Sequence, residues 1–531
     1  METNKLTSKK KKTEENGFDN EGIVTQQETP LTHFPETNPM SETAQLPLKQ
    51  IHVSSEIGQL HRLIVHSPDA GIGKVVPRKS QDWLYDDIVD IDKMRAEYNE
   101  YLQVLLWVLD PDKIRGKEIN PAFFKPAHKD SYFNSDKVID VEHLLIKILE
   151  MHEVRIRLVT HVCAAEKCSL RVINRLLDLD TELLARVLIT GVISTEKGDE
   201  FIFPPIPNLI FTRDIGIVVN NHLLLTKPAE DARIREAIIT KYIACYALFP
   251  ENGAFENHVM EINGDKSFLL HDTDNTDLST VEGGDVMMIS PSHLLIGCSE
   301  RTSPKGIEKV IRQVFRRNVV QKVTVVKIPY KRDYMHIDTV FTQVKRNMWV
   351  VFGQFLDSSH DFKGKYISDV ITRKKDERLG NRVTITQFIR KPTLKGYGIK
   401  ANKVKSLKKL FQQISFKDFG SRECIIIRCA GGRFPYDERE QWTDACNLLA
   451  LREGVVIGYD RNKETEKEFI KHGFKILKSA DFIAQMQAGT PLEEVLKGDT
   501  LILLPSSELS RARGGSHCMS MPLLRSNWQQ P

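Results

Sequence analysis

Residues 215–246 read IGIVVNNHLLLTKPAEDARIREAIITKYIACY, and this stretch decides the fold class. Its first half sets two short apolar runs either side of Asn220–Asn221, residue types that accept the backbone of a tight turn, so it reads as a β-hairpin. The second half, ARIREAIITKYIACY, repeats apolar residues at helical spacing. The order returns at DVMMISPSHLLIGCSE (285–300), another hairpin, then PKGIEKVIRQVFRR (304–317), a helix, then the strand VTVVKIP (323–329). Strand, strand, helix, strand recurs, which points to an α/β repeat architecture.

Moving outward from that stretch, HRLIVHSP (61–68) reads as a buried strand. Residues 91–199 change texture. DKMRAEYNEYLQVLLWVLD, DVEHLLIKILEMH, SLRVINRLLDL and TELLARVLITGV all carry helical periodicity and begin at capping residue types, so this span reads as an inserted helical module. The expected catalytic body is then 51–90 together with 200–531. Residues 1–50 are polar and poor in large apolar side chains, and are expected to be a disordered tail.

Composition narrows the class. Hydrophobic residues at 41% and charged residues at 27% suit a globular chain able to bury a core. No apolar stretch reaches the roughly 18–20 residues of a membrane helix, and the basic start METNKLTSKKKK has no apolar region behind it to make a secretory signal. The eight cysteines are scattered without C-x-x-C pairs, which argues against a zinc site and for reduced thiols in a cytoplasmic protein. The formal charge is only +4, but 361–420 holds 16 Lys/Arg against 5 Asp/Glu, a local +11 that leaves −7 elsewhere. That basic insertion within the catalytic body is a solvated face or a contact surface for an anionic partner. Within it Pro392, Gly396 and Gly398 are expected to interrupt regular structure, and VKSLKKLFQQI reads as an amphipathic helix.

Four segments carry candidate chemistry. In SELSRARGGSHCMSMPLLR (507–525), Cys518 follows a glycine pair and stands near Arg511, Arg513 and His517, cations that would favour its thiolate. In YMHIDTVFTQV (334–344), His336 and Asp338 lie two apart in an expected strand and so on one face. In TVEGGDVMMIS (280–290), Glu282 precedes a double glycine. In NLIFTRDIGIVV (208–219), Asp214 stands before an apolar strand. Each alone has a plainer reading: a buried thiol, a surface ion pair, a hairpin turn, a strand edge. Together they supply what chemistry on a guanidinium needs. That cation is always protonated and its carbon is a poor electrophile, so it must be gripped by carboxylates, attacked by a strong nucleophile and given a proton on departing nitrogen.

The words FTRD, EGGDV, SERTS, MHIDTVFT and RGGSHCMSMPL stand in this order, and through them the chain resembles the arginine deiminase family of the guanidino-group-modifying (pentein) superfamily, from about residue 54 to Arg525. The resemblance implies a five-bladed αβ propeller interrupted by a helical module, and hydrolysis of L-arginine to L-citrulline and ammonia without metal or cofactor. It implies Cys518 as a nucleophile forming a covalent amidino-cysteine, His336 as acid and base oriented by Glu282, and Asp214 and Asp338 on the guanidinium. Arg233, Arg301 and Arg513 would meet the substrate carboxylate, with Asn208 and Phe211 lining the pocket and a homo-oligomer possible. Amidino transfer, deimination of peptide-bound arginine or agmatine, and binding on a retired scaffold are the competing readings. Two departures stand out. The basic insertion is an enlargement, and Met521 stands where some members have a cysteine.

Overall fold

The hairpin that opens the argument is present in the computed structural model. Gly216–Val219 pairs antiparallel with His222–Leu225, Val218 opposite Leu223, and Asn220 turns the corner at φ 52°. Asparagine tolerates this left-handed backbone better than most residues. Its side chain also ties the turn to neighbouring segments, donating to Pro291 O at 2.9 Å and Val319 O at 2.8 Å. The structure describes residues 51–79, 82–85, 87–251, 253–262, 279–356, 383–394 and 396–527. The 1–50 tail and residues 361–382 of the basic block lie outside them.

After the hairpin comes the helix Ile234–Ile243, and Val259–Glu261 then runs back parallel to His222–Leu225. Among the described residues this unit of antiparallel pair, helix and parallel return occurs five times, four of the pairs being hairpins. Val286–Ser290, His293–Cys298, Pro304–Arg316 and Lys322–Lys327 form the next. Phe341–Lys345, Met348–Val351, Leu407–Lys417 and Ile425–Arg428 form another. In a further one Leu449–Arg452 and Val455–Tyr459 are followed by the parallel Thr500–Leu504, with Lys475–Lys478 added at the edge. The remaining unit is assembled from distant parts: Leu60–Val65 pairs antiparallel with Met521–Arg525 and parallel with Val138–Asp140. A separate ribbon, Val192–Thr195 with Gly198–Phe201, stands outside the five sheets.

That last unit moves a boundary. Its helix is Ile91–Leu109, which the periodicity alone had grouped with the helical module. Instead Tyr98, Tyr101, Leu102 and Leu105 are fully buried in the core shared with strands Leu449–Arg452 and Thr500–Leu504, and the helix packs on Ser479–Gln487. The helical insertion proper runs over Val141–Leu149, His152–Ala165, Leu170–Leu177 and Thr181–Thr190, whose apolar faces share a core with Ile234–Ile243. Asp140 caps the first of these through Glu142 N, and Asp180 caps the last through Leu183 N; Ser169 holds a cap position without that bond. Periodicity finds helices but not what they bury against.

The basic block departs further from expectation. Thr384–Thr393 and Gly396–Val404 form a long regular hairpin, paired without a break from Ile385↔Val404 to Thr393↔Gly396. Pro392 does not interrupt it, because at the far end of its strand only Tyr397 stands opposite. The helix Leu407–Lys417 then docks, burying Leu407, Leu410, Phe411 and Ile414, with Phe411 stacked on Trp349 at 4.3 Å between ring centres. Truncating so buried an aromatic costs about 3–5 kcal/mol. Among the described residues no helix is long and apolar enough to cross a membrane.

Candidate active site

The double glycine in EGGD brings two segments together by having no side chain. A Cβ on Gly283 would collide with the carbonyl of Arg213, and one on Gly284 would meet His336 Nδ1 at 2.5 Å. With both absent, Glu282, Asp214 and His336 meet. His336 Nε2 lies 3.0 Å from Glu282 Oε2, and Nδ1 lies 3.8 Å from Asp214 Oδ1. Glu282 is itself fixed by Ala229 N–H donating to Oε1 at 3.1 Å. Burial alone would lower the imidazole, but Asp214, Glu282 and Asp285 outweigh it and raise His336 to about 10. Burial would likewise raise Glu282, yet His336 and Arg233 hold it down at about 2. The pair is therefore imidazolium and carboxylate through the neutral range.

His336 and Asp338 are not on a strand. His336 caps the short 3-10 helix Ile337–Thr339, and the strand starts only at Phe341. Asp285 accepts Ile337 N–H at 3.0 Å, which holds this turn in place. The two side chains consequently serve different neighbours. Asp338, fully buried, has Oδ2 at 2.9 Å from His517 Nδ1 and 3.4 Å from Cys518 Sγ, while Oδ1 carries no hydrogen bond.

The surroundings of Cys518 differ from the cationic ones read in the sequence. Arg511 turns outward to Asp87 at 3.0 Å, and Arg513 stacks 3.4 Å above the Trp442 ring centre. His517 faces Asp338 and Glu56, at 2.9 and 3.3 Å, rather than the sulfur. Burial first, then Asp338, Asp214 and Asp444, push the Cys518 thiol well above its ordinary value, with a hydrogen bond from Asn447 working the other way. The resting nucleophile candidate is a thiol. The glycines before it permit close packing: a Cβ on Gly514 would strike the Phe211 ring, and one on Gly515 would meet Asn447 O at 2.5 Å.

Cys518, His336, Glu282, Asp214, Asn208, Phe211, Arg233, Arg301 and Arg513 line one cavity, with Arg332, Met335 and Leu84 beside them. Asp338 is not among the lining residues and meets the site through Cys518 Sγ at 3.4 Å. Asn208 is anchored by donating to Trp83 O at 2.9 Å. Arg301 is buried with only loose carboxylate neighbours, Glu230 and Glu300 at 3.8 Å. Arg233 is differently engaged from the expected carboxylate grip. Its guanidinium lies 3.0 Å from Asp214, 3.4 Å from Glu282 and 2.8 Å from Glu236. Asp214, Glu282 and His336 could also offer ligands to a metal ion, their ligand atoms lying within 4.8 Å of one another. The Arg233 cation already sits against two of the three and supplies the positive charge there, so the donor set fits a metal poorly.

Sequence reading missed Glu56, Asn447, Glu236 and Arg332. Glu56 lay in plain view in SSEIGQL but 461 residues from His517, and Asn447 is 71 residues from Cys518 in a stretch with no motif. Only a pairing of distant strands brings them in.

The family model for arginine deiminase matches residues 140–525. The chain belongs to the arginine deiminase family. Among its relatives, the arginine deiminase of Bacillus cereus is 28% identical over 495 residues, covering 90% of this chain and 98% of that one. The arginine deiminase of Borrelia recurrentis is 27% identical over 488 residues, with the same coverage of both chains. A solved amidinotransferase from Microseira wollei overlays 91% of this chain and 99% of its own at TM-score 0.44 and 12% identity, too loose a likeness to bear on the reaction. The five words that carry the site all fall inside the span matched by the arginine deiminase model, whereas Glu56 precedes it.

Proposed function

We propose that this chain hydrolyses free L-arginine to L-citrulline and ammonia through an amidino-cysteine intermediate on Cys518. The observation that carries the reading is the convergence of a thiol, a carboxylate-held imidazole and Asp214 on one cavity, with Asp338 against the sulfur at 3.4 Å, in a member of this family. The similarity to the arginine deiminases of Bacillus cereus and Borrelia recurrentis points the same way.

In this reading the substrate guanidinium enters between Asp214 and the free Oδ1 of Asp338. Its positive charge beside the sulfur offsets the carboxylates that keep the thiol protonated, and the thiol proton is released to solvent. Cys518 Sγ attacks the guanidinium carbon, and the tetrahedral adduct takes a proton from imidazolium His336 onto the departing nitrogen. Ammonia leaves, and the carbon remains bonded to sulfur as a cationic amidino thioether. Neutral His336 then takes a proton from water, the hydroxide adds to that carbon, and collapse of the second adduct passes its hydroxyl proton to the departing sulfur, restoring the Cys518 thiol and leaving citrulline. Glu282 stabilises His336 in its protonated form. Arg301 and Arg513 receive the substrate carboxylate, and Arg233 balances the charge of Asp214, Glu282 and Glu236. The five repeated units are read as blades of a propeller closed by the pairing of Leu60–Val65 with Met521–Arg525.

Incubating the purified chain with L-arginine tests this directly. Citrulline and ammonia should appear in equal amounts, and rapid quenching should trap an amidino adduct on the peptide carrying Cys518. Loss of arginine without citrulline, or an amidino group passed to an added amine in preference to water, would overturn it.

A further inference from the structure

The Cys518 nucleophile is held at two atoms by one side chain. Asn447, 1% exposed, accepts the Cys518 backbone N–H on Oδ1 at 3.0 Å and approaches the sulfur with Nδ2 at 3.1 Å. A carboxamide oxygen and nitrogen are distinguished by what they face. The backbone N–H can only donate, so Oδ1 must be the atom turned to it, and the amino group is thereby pointed at the sulfur as a donor.

The rest of the fold is shaped to keep it there. Asn447 N–H donates to Asp444 O at 3.0 Å, closing a turn in which Asp444 takes left-handed backbone at φ 63°. Ser516 Oγ accepts Leu449 N–H at 3.1 Å and donates to Ile457 O at 2.7 Å, lacing the nucleophile loop to the strand that follows Asn447. Any side chain at position 515 would collide with Asn447, its Cβ meeting the backbone O at 2.5 Å and Oδ1 at 2.8 Å, so the glycine lets the nucleophile loop lie directly against this residue.

We infer that Asn447 is the residue that fixes and stabilises the reacting form of Cys518, its amide donating to the sulfur once the thiol proton has gone. The sulfur has one acceptor neighbour and one donor neighbour. Asp338 Oδ2, at 3.4 Å, suits the thiol and repels the thiolate, whereas the Asn447 amide suits both and binds the anion more strongly. In a pocket where burial and carboxylates oppose ionisation, a fixed donor is what the thiolate has to rest against. This assignment rests on Cys518 being the nucleophile.

The test is the pH dependence of alkylation of Cys518 by iodoacetamide, read on its own peptide by mass spectrometry in the full chain, beside arginine kinetics. Asn447→Asp keeps the acceptor for the backbone N–H and removes the donor. Its alkylation midpoint should rise by about one to two pH units, as expected when a hydrogen bond to a charged group is lost. At neutral pH kcat should fall at least tenfold, with KM within about threefold, and kcat should recover partly as pH rises. Should Asn447→Asp fail to fold, Asn447→Ala removes the donor together with the acceptor of the Cys518 N–H, and its midpoint should rise likewise. A midpoint that does not move, in either variant with wild-type near-ultraviolet dichroism, would make Asn447 a packing residue and overturn the inference. If the nucleophile reading itself were wrong, Cys518→Ser would keep its turnover, and the alkylation shift would still be measurable by itself.

Discussion

The imidazole of His336 is held by the carboxylate of Glu282, Nε2 to Oε2 at 3.0 Å, with both groups buried. Asp214, Glu282 and Asp285 hold the His336 imidazole well above its ordinary range, which suits the acid role proposed for it. His336→Ala should lower kcat by about 10²–10⁴-fold, the usual size of a general acid–base contribution. A loss of only a few-fold in steady-state assays would show that another group moves the proton.

Cys518→Ser should abolish turnover while leaving the fold intact. Serine is close in shape, and its backbone N–H can still reach Asn447 Oδ1. Its hydroxyl, however, ionises far less readily than a thiol. Circular dichroism unchanged with no citrulline formed is the expected result, and a normal rate would remove the covalent intermediate.

Selectivity should separate the three arginines. Arg301 and Arg513 line the cavity and are proposed to receive the substrate carboxylate, so agmatine should be disfavoured on the order of 10⁴–10⁵-fold in kcat/KM. Replacing either by leucine should narrow that ratio. Arg233→Leu should instead slow both substrates alike, because its guanidinium is committed to Asp214, Glu236 and Glu282. Equal activity on agmatine in the unaltered chain would reject the carboxylate site.

A stability prediction concerns His66, far along the chain from this chemistry. Burial opposes its charge, but Asp140 and Asp69, at 3.2 and 3.3 Å, raise it from 6.5 to about 10. The folded state therefore binds a proton that the unfolded chain gives up above pH 6.5. The resulting stabilisation, on the order of 5 kcal/mol, is complete below 6.5 and is lost as pH rises through about 10. Urea midpoints of the wild type and His66→Gln should differ clearly at pH 6 and converge towards pH 10.5. A constant difference would show that the imidazole is neutral in the fold.

The basic hairpin should be dispensable for chemistry. None of its described residues lines the cavity. Replacing the tip from Pro392 to Tyr397 by Asn-Gly, which closes a hairpin well, should leave arginine turnover within a few-fold. Loss of turnover in a folded variant would tie this arm to the site.

What could be read from the chain depended on distance along it. The hairpin at Asn220 and the helix Pro304–Arg316 are set by local turn chemistry and periodicity, and both were legible. So was the grouping of Cys518, His336, Glu282 and Asp214, because each sits in a recognisable word. The 3-10 turn at His336 was hidden because Asp285, 52 residues from Ile337, holds it through a hydrogen bond. The pairing of Arg233 with three carboxylates was hidden for the same reason, and so was the turning of His517 towards Glu56. Helix Ile91–Leu109 carries a clear period, but nothing in a period says which core receives it.

The sheet in which Leu60–Val65 meets Met521–Arg525 has a consequence for how the chain is made. Arg525 donates to Gly58 O across 467 residues. At a synthesis rate of 5–20 residues per second, the first of these segments waits roughly half a minute to a minute and a half for its partner. Throughout that time the buried face of Leu60, Leu63 and Val65 lacks its antiparallel neighbour, and Glu56 has no His517 to face. A ribosome stalled before residue 518 would carry a nascent chain with most of its units formed but without Cys518, the proposed nucleophile.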